Sequence, residues 1–448
     1  MAERPDWRAR FCFRHINRLF VSLFIIFCSL FVTVAASAAS DASGESGDPP
    51  KKRLLVLPYP FFNDTIGTGI GAAVVAEGYV QPQMLAVGSG LFSADGTYMI
   101  FAMVRNYQFP WIDRLILEPQ TAIGSFVDVK SYTLNRPGFT DERAGSNDSH
   151  EDNFIEADGD DFWFDFTIKY LLPLGHGHDN VFPKLKLDNG IFVSGDTGGE
   201  HWNPLTSGRT FIELVPFYRN QDLDDDDDIG EKVVQKTAGI DVALFHDNTN
   251  FRLNPSRGSS QRIFYSRDWG GFDSSRPWTV VGAEFDKYFD LGPSESARQR
   301  VIALNLYTVD CLTWKSSHTE DGREVFHRPP TYKGASLGGL WRMRGFPATR
   351  FNDRSAIYYA AEYRHTLNWN PLEDFTLGGR LDVDWFQLVG SGELGRVAPS
   401  WNFDELHSDM KWCLGAGLRV MANNIIVRAD FGFSDEDGIV QLFIGHPF

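Results

Sequence analysis

The side chains that enzymes use for catalysis occur in this sequence without the spacing that catalysis needs. There is no Gly-x-Ser-x-Gly motif, which would place a nucleophilic serine on a sharp turn, and no His-Glu-x-x-His motif, which would hold a zinc ion. His176 and His178 flank a predicted turn, where solvation is expected rather than metal binding. The run from Asp224 to Asp228 lacks the spacing of an EF-hand calcium loop and predicts a solvated acidic loop. We therefore predict no enzyme activity, no metal site and no cofactor.

Composition and charge exclude several classes of protein. The chain has 448 residues, 43% of them hydrophobic, and its mean hydropathy of -0.25 argues against a bundle of membrane-spanning helices. Its 14% aromatic content and 42 glycines are typical of a sheet-rich protein with aromatic side chains at membrane interfaces. A net charge of -17 disfavours nucleic acid as a partner. Cys311 and Cys413 are far apart in the chain, and the sequence leaves a disulfide between them open.

The N-terminal segment has the organisation of an export signal. Residues 1–18 are basic, Leu19 to Ala36 are almost uninterruptedly apolar, and Ala36-Ser37-Ala38 provides the small residues that a signal peptidase needs. We predict a signal peptide over residues 1–38, cleaved after about Ala38, and a disordered leader over residues 39–53. A retained signal anchor is the alternative, because an apolar run of this length could just span a bilayer.

From residue 54 onward the sequence alternates with period two, which predicts strands with two different faces. In Phe162 to Leu172 one face carries Phe162, Phe164, Phe166, Ile168, Tyr170 and Leu172, and the other carries Trp163, Asp165, Thr167 and Lys169. Ile357 to Arg364 repeats the pattern, with Glu362 and Arg364 as charges on the predicted inward face. A soluble β-sandwich also alternates, but several of these runs reach the 9 to 11 residues that a membrane-spanning strand needs.

These patterns predict an all-β fold, a closed transmembrane antiparallel β-barrel over residues 54–448. An open sheet edge is unstable in hydrocarbon, so a membrane sheet must close. With roughly 25 residues for each strand and its loop, about 395 residues predict about 16 strands. The loops should be uneven, short at one end of the barrel and long at the other.

The last strand ends the chain on an aromatic residue. Val440, Leu442, Ile444 and Phe448 lie at even spacing, so they are expected to share one face. A terminal aromatic on such a strand resembles the signal by which outer-membrane barrels are recognised for insertion. We therefore predict a C-terminal insertion signal at these four positions.

A more specific pattern lies in the last half of the chain. Leu337 to Phe346 reads LGGLWRMRGF, and it is followed by Arg350-Phe351 and by Glu362-Tyr363-Arg364. This pattern resembles the inward-folded loop and the following strand of the BamA/TamA/FhaC superfamily, the bacterial surface antigens. That loop reads Val-Arg-Gly-Phe or Val-Arg-Gly-Tyr in the family, so Met343 is a mild departure. The resemblance is clear over residues 238–448 and loose over residues 54–237.

The resemblance implies a site in the lumen. Its loop arginine corresponds to Arg344, followed by Gly345 and Phe346, and in the family it meets an acidic residue of a later strand motif, Phe-x-Asp-x-Gly. The best match to that motif places Glu393 in the acidic position, with Gly395 after it. Asp384 is the rival partner. An arginine held on a turn in a narrow lumen should form a charge-assisted contact with such a carboxylate.

The functional expectation follows from the same resemblance. Most superfamily members carry periplasmic POTRA modules, for which the short leader of this chain has no room, so the chain resembles the members that are a barrel alone. We predict an outer-membrane protein that assists protein or lipid insertion or transport. Its expected partners are outer-membrane lipid, the barrel-assembly machinery during biogenesis, and protein or lipid clients that the sequence does not name. The alternative is a porin-like channel for small solutes, with the Arg344 loop as a plug.

Overall fold

The computed structural model describes residues 52–63, 67–225, 233–320, 322–372, 383–422 and 425–448. The predicted signal peptide, nearly all of the predicted leader and most of the acidic run from Asp224 to Asp228 lie outside these residues. None of the helices in the described ranges is long and apolar enough to cross a membrane.

Sixteen strands of the described chain form one antiparallel sheet, which confirms the all-β prediction and the strand number. One of them, β4, is interrupted at Asn106, whose φ is +57°. The strands are β1 (Arg53–Asn63), β2 (Gly67–Glu77), β3 (Leu85–Ser93), β4 (Tyr98–Arg105 and Tyr107–Gln108), β5 (Leu115–Ser131), β6 (Ile155–Leu171), β7 (Arg209–Asp225), β8 (Val233–Thr249), β9 (Gly258–Asp268), β10 (Trp278–Asp290), β11 (Ala297–Cys311), β12 (Ser355–Leu367), β13 (Val383–Ala398), β14 (Lys411–Ala422), β15 (Ile425–Ser434) and β16 (Gly438–Ile444).

Each strand pairs with the next one along the chain, so the sheet curls into a nearly closed barrel. The first and last strands, β1 and β16, lie against each other. No backbone pairing register joins the described residues of these two strands. The barrel therefore has a seam that is held less strongly than its other strand contacts, because ladder hydrogen bonds are what tie neighbouring strands together.

The two faces of the sheet differ as the alternation predicts. Along β11, Val301 and Asn305 point inward and are buried, whereas Ile302 and Leu304 point outward and are more than a third exposed. Along β12, Tyr363 is exposed between the buried Glu362 and Arg364. Large apolar side chains on the outside and charged ones within are the arrangement that hydrocarbon around a barrel requires. A two-sheet sandwich is excluded, because these sixteen strands form one continuous sheet and the other strands of the described chain form only short two-stranded hairpins.

The connections lie at two ends of the barrel, here called the terminal end, where β1 begins and β16 finishes, and the far end. Long connections leave the far end at residues 132–154 and 312–354, as the sequence predicts for one end. The terminal end also carries a long connection, residues 172–208, which contains a hairpin of Leu185–Asp188 and Ile191–Gly195. The expectation of short turns at one end was therefore wrong for this connection.

Candidate functional site in the barrel lumen

The far-end connection of residues 312–354 turns back into the lumen. A short hairpin of Ala335–Leu337 and Phe351–Asp353 leads the chain in and out. Between its strands, residues 338–350 form the lumen loop, which folds on itself through hydrogen bonds such as that from the Gly339 amide to the Phe346 carbonyl, 3.0 Å. Met343 and Phe346 are fully buried in the cluster that fills this part of the barrel.

The backbone of the lumen loop explains two features of its sequence. Gly338 and Gly339 have φ values of +111° and +104°, a region that residues with a Cβ avoid. Met343 has a φ of +52°. A β-branched residue is strained most in that conformation, so an unbranched methionine suits this position better than the valine that the family resemblance predicts.

Arg344 lies at the centre of the lumen loop, and three strands contribute carboxylates to it. Its Nε donates to Glu393 Oε1 on β13 at 2.5 Å. Its Nη1 lies 2.9 Å from Glu362 Oε1 on β12 and 3.0 Å from Asp430 Oδ2 on β15. Its backbone amide donates to Glu393 Oε2 at 3.1 Å, and Tyr358 donates its hydroxyl to the same oxygen at 2.9 Å. One guanidinium thus connects the loop to three strands.

The structure brings together Arg344 and Glu393, the pair that the resemblance implies. The rival Asp384 lies nine residues earlier on β13, on the order of 30 Å away at about 3.3 Å per residue. The sequence placed Glu362 on the inward face without assigning it to Arg344, and it missed Asp430 as a further acidic partner. Its only sequence signal was the alternation of β15, which places Arg428 and Asp430 on the inward face.

Glycines at the loop and the wall serve close packing. A Cβ on Gly345 would lie 2.8 Å from Cys413 Cβ, and one on Gly395 would lie 2.8 Å from Leu337 Cδ1. Gly345 itself does not have a positive φ. Its role is therefore to let the loop approach the wall closely, because it does not supply a positive-φ turn.

The charges around Arg344 continue as a network. Glu362 also accepts hydrogen bonds from Arg364 Nε at 2.9 Å and from Arg419 Nη2 at 2.7 Å. Arg428 Nη1 donates to Asp430 at 2.8 Å, and its Nη2 donates to the Leu340 carbonyl of the loop at 2.6 Å. All these side chains are at least nine-tenths buried. Buried charges are tolerated only when they are paired, so the network and the loop stabilise each other.

Comparison with known proteins bears on this fold. The sequence matches no known protein family, and no curated protein sequence is significantly similar to it. The structure is similar to CdiB from Escherichia coli, with a TM-score of 0.51 and 12% sequence identity over 90% of this chain and 64% of that one. The chain has the barrel fold of CdiB. It spans less than two thirds of the CdiB chain, and at this identity the likeness establishes the fold alone.

Two further solved structures give lower scores. They are BamA from Haemophilus ducreyi lacking POTRA domains 1-3 (TM-score 0.47, 11% identity, 88% of this chain and 70% of that one) and CdiB from Acinetobacter baumannii (0.48, 11%, 88% and 59%). The resemblance to the BamA/TamA/FhaC superfamily, predicted from the residues around Arg344, is confirmed for the fold by the likeness to the E. coli protein.

A second arginine anchors the lumen loop of this CdiB-like barrel at the far end. Arg350 is fully buried and donates to both carboxylate oxygens of Glu436, in the turn between β15 and β16, at 2.7 and 2.9 Å. It also donates to the hydroxyl and the carbonyl of Ser149 in the connection of residues 132–154. Burial raises the pKa of the Glu436 carboxyl, and the hydrogen bonds from Arg350 oppose that shift. The loop is thus fixed to two neighbouring far-end segments.

The terminal end of the CdiB-like barrel is covered by the hairpin of residues 185–195. Its Leu187, Ile191 and Phe192 pack against Phe251, Trp385, Met421 and Ile426 at the terminal ends of the wall strands and of the β8–β9 connection. His178, in the same connection, is mostly exposed, whereas His176 accepts a hydrogen bond from the Gly208 amide at 3.1 Å. The exposure of His178 agrees with the predicted solvation, whereas His176 is half-buried with a hydrogen-bond partner in the same connection. Elements from both ends enter the lumen.

The C-terminal residues do not share one face, contrary to the even spacing that the sequence suggests. Val440 and Ile444 are about half exposed on the outside of β16, and Leu442 is partly exposed. Beyond them Gly445, with a φ of +97°, turns the chain, and Phe448 packs inside against Tyr288, Val301 and Ala303. Phe448 therefore does not share the outward face of β16, because the turn at Gly445 interrupts the alternation. The insertion signal at these four positions stays a prediction.

The cysteines and the possible metal ligands of the described residues form no further site. Cys311 and Cys413 are buried free thiols, so the disulfide that the sequence left open is not formed. Within the described ranges, no group of three or more His, Cys, Asp or Glu side chains is placed to hold a metal ion.

Proposed function

We propose that this chain is an outer-membrane β-barrel protein that assists the insertion or transport of proteins or lipids at that membrane. The apolar exterior supports the membrane placement, and the CdiB-like fold supports a bacterial outer membrane. Its partners would be outer-membrane lipid, the assembly machinery that inserts the barrel itself, and clients of protein or lipid. We propose no catalytic step.

The observation that carries the proposal is the combination of an obstructed lumen with a weak seam. The lumen loop is tied to β12, β13 and β15 through Arg344, so an open aqueous path through the barrel is not its resting state. At the same time β1 and β16 touch without a backbone register over their described residues. Unpaired strand edges accept new strands, so the seam offers clients a lateral site that a sealed porin lacks.

A folding assay tests this proposal. Unfolded polypeptide of a small eight-stranded barrel would be added to phospholipid vesicles with and without the reconstituted protein, and folded client would be measured by its gel shift. We expect the protein to accelerate client folding several-fold. A variant with one cysteine introduced in β1 and one in β16 should lose the acceleration when oxidised and regain it when reduced. Equal client folding in empty and loaded vesicles would contradict the proposal.

The porin-like channel remains the second candidate, because the charged residues around Glu362 give the lumen a polar lining suited to ion passage. Single-channel conductance in planar bilayers separates the two candidates. If the lumen loop is a plug, Arg344→Ala should raise the conductance strongly, with Arg344→Lys intermediate. High conductance together with no effect on client folding would favour the channel over the insertion role.

A further inference from the structure

The outer wall carries a groove whose lining changes from polar to apolar along its length. It has a volume of about 920 Å³ and runs across β9 to β14. A continuous cross-strand row forms it, in which Lys287 lies opposite Ser259 and Leu304, and Gly392 lies opposite Ala361 and Leu414. The row beside it supplies large apolar side chains, namely Phe285, Leu306, Tyr359, Leu394 and Trp412.

The groove rises from the terminal end of the barrel towards its middle. Lys287 is the fourth residue from the end of β10, whereas Gly392 is the tenth residue of β13. At about 4.8 Å between strands and a strand tilt of about 40°, the three strand spacings from Lys287 to Gly392 correspond to about 9 Å of height, and the five from Ser259 to Leu414 to about 15 Å. The hydrocarbon core of a bilayer is about 30 Å thick, so about 15 Å is the depth of one leaflet.

The end of the groove that is nearest the terminal end of the barrel carries side chains suited to binding a lipid headgroup. Lys287 is exposed there, and Trp202, from the terminal-end connection, also lines this end. Ser259, directly opposite Lys287, is 3% exposed, and its hydroxyl has no hydrogen-bond partner among the described residues. An ammonium group, a hydroxyl in need of a partner and an indole are groups that bind a phosphate at a membrane interface.

We propose that this groove binds one phospholipid of the leaflet on the terminal side, with its phosphate at Lys287 and one acyl chain lying past Gly392. Polarity, charge and depth together favour this occupant over a second copy of the chain, since an apolar protein contact would not need a cation at one end. The groove exists because Ala361 and Gly392 are small, whereas the side chains in the row beside them are large. The inference rests on the membrane placement proposed above and is independent of any client.

Two glycines of β13 provide a matched pair of variants. A Cβ on Gly392 would meet only Leu414 Cδ2, at 3.7 Å, so leucine fits there and fills the groove. A Cβ on Gly390, on the same outward face but outside the groove lining, would meet nothing within 4 Å. Both substitutions add the same side chain to the same strand, and only Gly392→Leu should affect a lipid in the groove.

Native mass spectrometry of the detergent-purified protein, titrated with phosphatidylglycerol or phosphatidylcholine, tests the inference. We expect one phosphatidylglycerol to be retained by the wild type and by Gly390→Leu. We expect about tenfold weaker binding in Gly392→Leu, equivalent to 1.4 kcal/mol. Lys287→Gln, a surface change outside the core, should weaken phosphatidylglycerol binding about fivefold and remove its preference over phosphatidylcholine.

Several outcomes would overturn the lipid site. One is a statistical series of bound lipids without a dominant single one, and another is equal binding by Gly392→Leu and Gly390→Leu. A dimer that Gly392→Leu dissociates would assign the groove to a second copy. Each variant must first show the gel shift of a folded barrel, so failure of the lipid site in a folded barrel leaves the membrane placement intact.

Discussion

At the scale of single residues, Arg344 determines the state of the lumen loop. Its guanidinium contacts carboxylates on three strands. Without it, Glu393 would lose its only arginine partner among the described residues, whereas Glu362 would keep Arg364 and Arg419, and Asp430 would keep Arg428. Desolvated charges without partners are among the most costly defects in a folded protein. The residue therefore holds the loop in the barrel for electrostatic reasons, while Met343 and Phe346 beside it provide the apolar packing.

We predict that Arg344→Ala lowers the free energy of unfolding by about 3–5 kcal/mol, the cost of breaking a buried ion pair from one side. Urea titration followed by loss of the compact gel band measures this change. Arg342→Ala is the control in the same loop, since its ion pair with Glu284 is about a quarter exposed and should contribute about 1 kcal/mol or less. Similar losses in both variants would contradict the central role of Arg344.

A double-mutant cycle checks the pairing itself. Glu393→Gln removes the charge that Arg344 meets on β13, so the combined variant should lose less stability than the sum of the two single changes. Contacting charges of this kind couple by about 1–3 kcal/mol. Strict additivity would mean that Arg344 depends on Glu362 and Asp430 and not on Glu393.

We predict that Gly338→Ala loosens the lumen loop, because its φ is +111° and an added Cβ would lie 2.1 Å from the Pro347 carbonyl oxygen. Gly96→Ala is the control, since Gly96 has a similar φ of +103° in the β3–β4 turn but nothing within 4 Å of its Cβ. Planar-bilayer conductance should rise in the first variant only. If the two variants conduct alike, the clash at Gly338 has no effect on the loop.

At the scale of elements, the far-end connections act as a single unit. Arg350 joins the lumen loop to the connection of residues 132–154 and to the β15–β16 turn. Arg143, in that connection, also pairs with Asp353 of the hairpin that carries the loop, 2.9 Å away. The loop therefore cannot leave the lumen without disturbing both neighbouring segments.

We predict that Arg350→Ala exposes residues 312–354 to proteases, because it removes four hydrogen bonds from a fully buried side chain. Limited trypsin digestion of the folded barrel, with fragments identified by mass spectrometry, measures the effect. Arg354→Ala is the matched control, because Arg354 bonds Asp310 near the same hairpin and is a quarter exposed. Equal cleavage rates in the two variants would assign no anchoring role to Arg350.

The sequence predicted the wall strands better than the connections, because alternation repeats along a strand. Alternation along β12 placed Glu362 and Arg364 on the inward face correctly, because a strand in a barrel wall meets two different solvents. It did not predict the hairpin of residues 185–195 in the lumen. Its apolar residues are few, and packing such as that of Phe192 near Trp385 depends on chain segments that are distant in sequence.

At the scale of the whole molecule, the closed sheet and its exterior determine how the protein behaves outside a membrane. We predict that the detergent-extracted protein migrates faster on a gel when unheated than after boiling, because sixteen paired strands resist detergent until heated. Unheated and boiled samples of the membrane fraction are compared on one gel. The same mobility in both would contradict a membrane barrel.

At this scale, the seam between β1 and β16 is the feature that the sequence could not predict. Strand number and barrel closure follow from length, alternation and the instability of open edges in hydrocarbon. The weak contact between β1 and β16 does not, because it depends on the register between the two most distant parts of the chain. The turn at Gly445 belongs to the same class, since a single positive φ redirects Phe448 into the interior.

The burial of the Cys413 thiol under the lumen loop offers a way to measure movement of that loop. This thiol is buried on β14 where Gly345 of the lumen loop covers it, with only 2.8 Å between Cys413 Cβ and the position of an added Cβ on Gly345. A maleimide reagent can therefore reach this sulfur only after the covering chain has moved away. In a background with the substitutions Cys12→Ser, Cys28→Ser and Cys311→Ser, Cys413 is the only thiol of the chain. Its alkylation rate in living cells then measures how often the loop leaves the lumen, without a client, an ion gradient or an electrode.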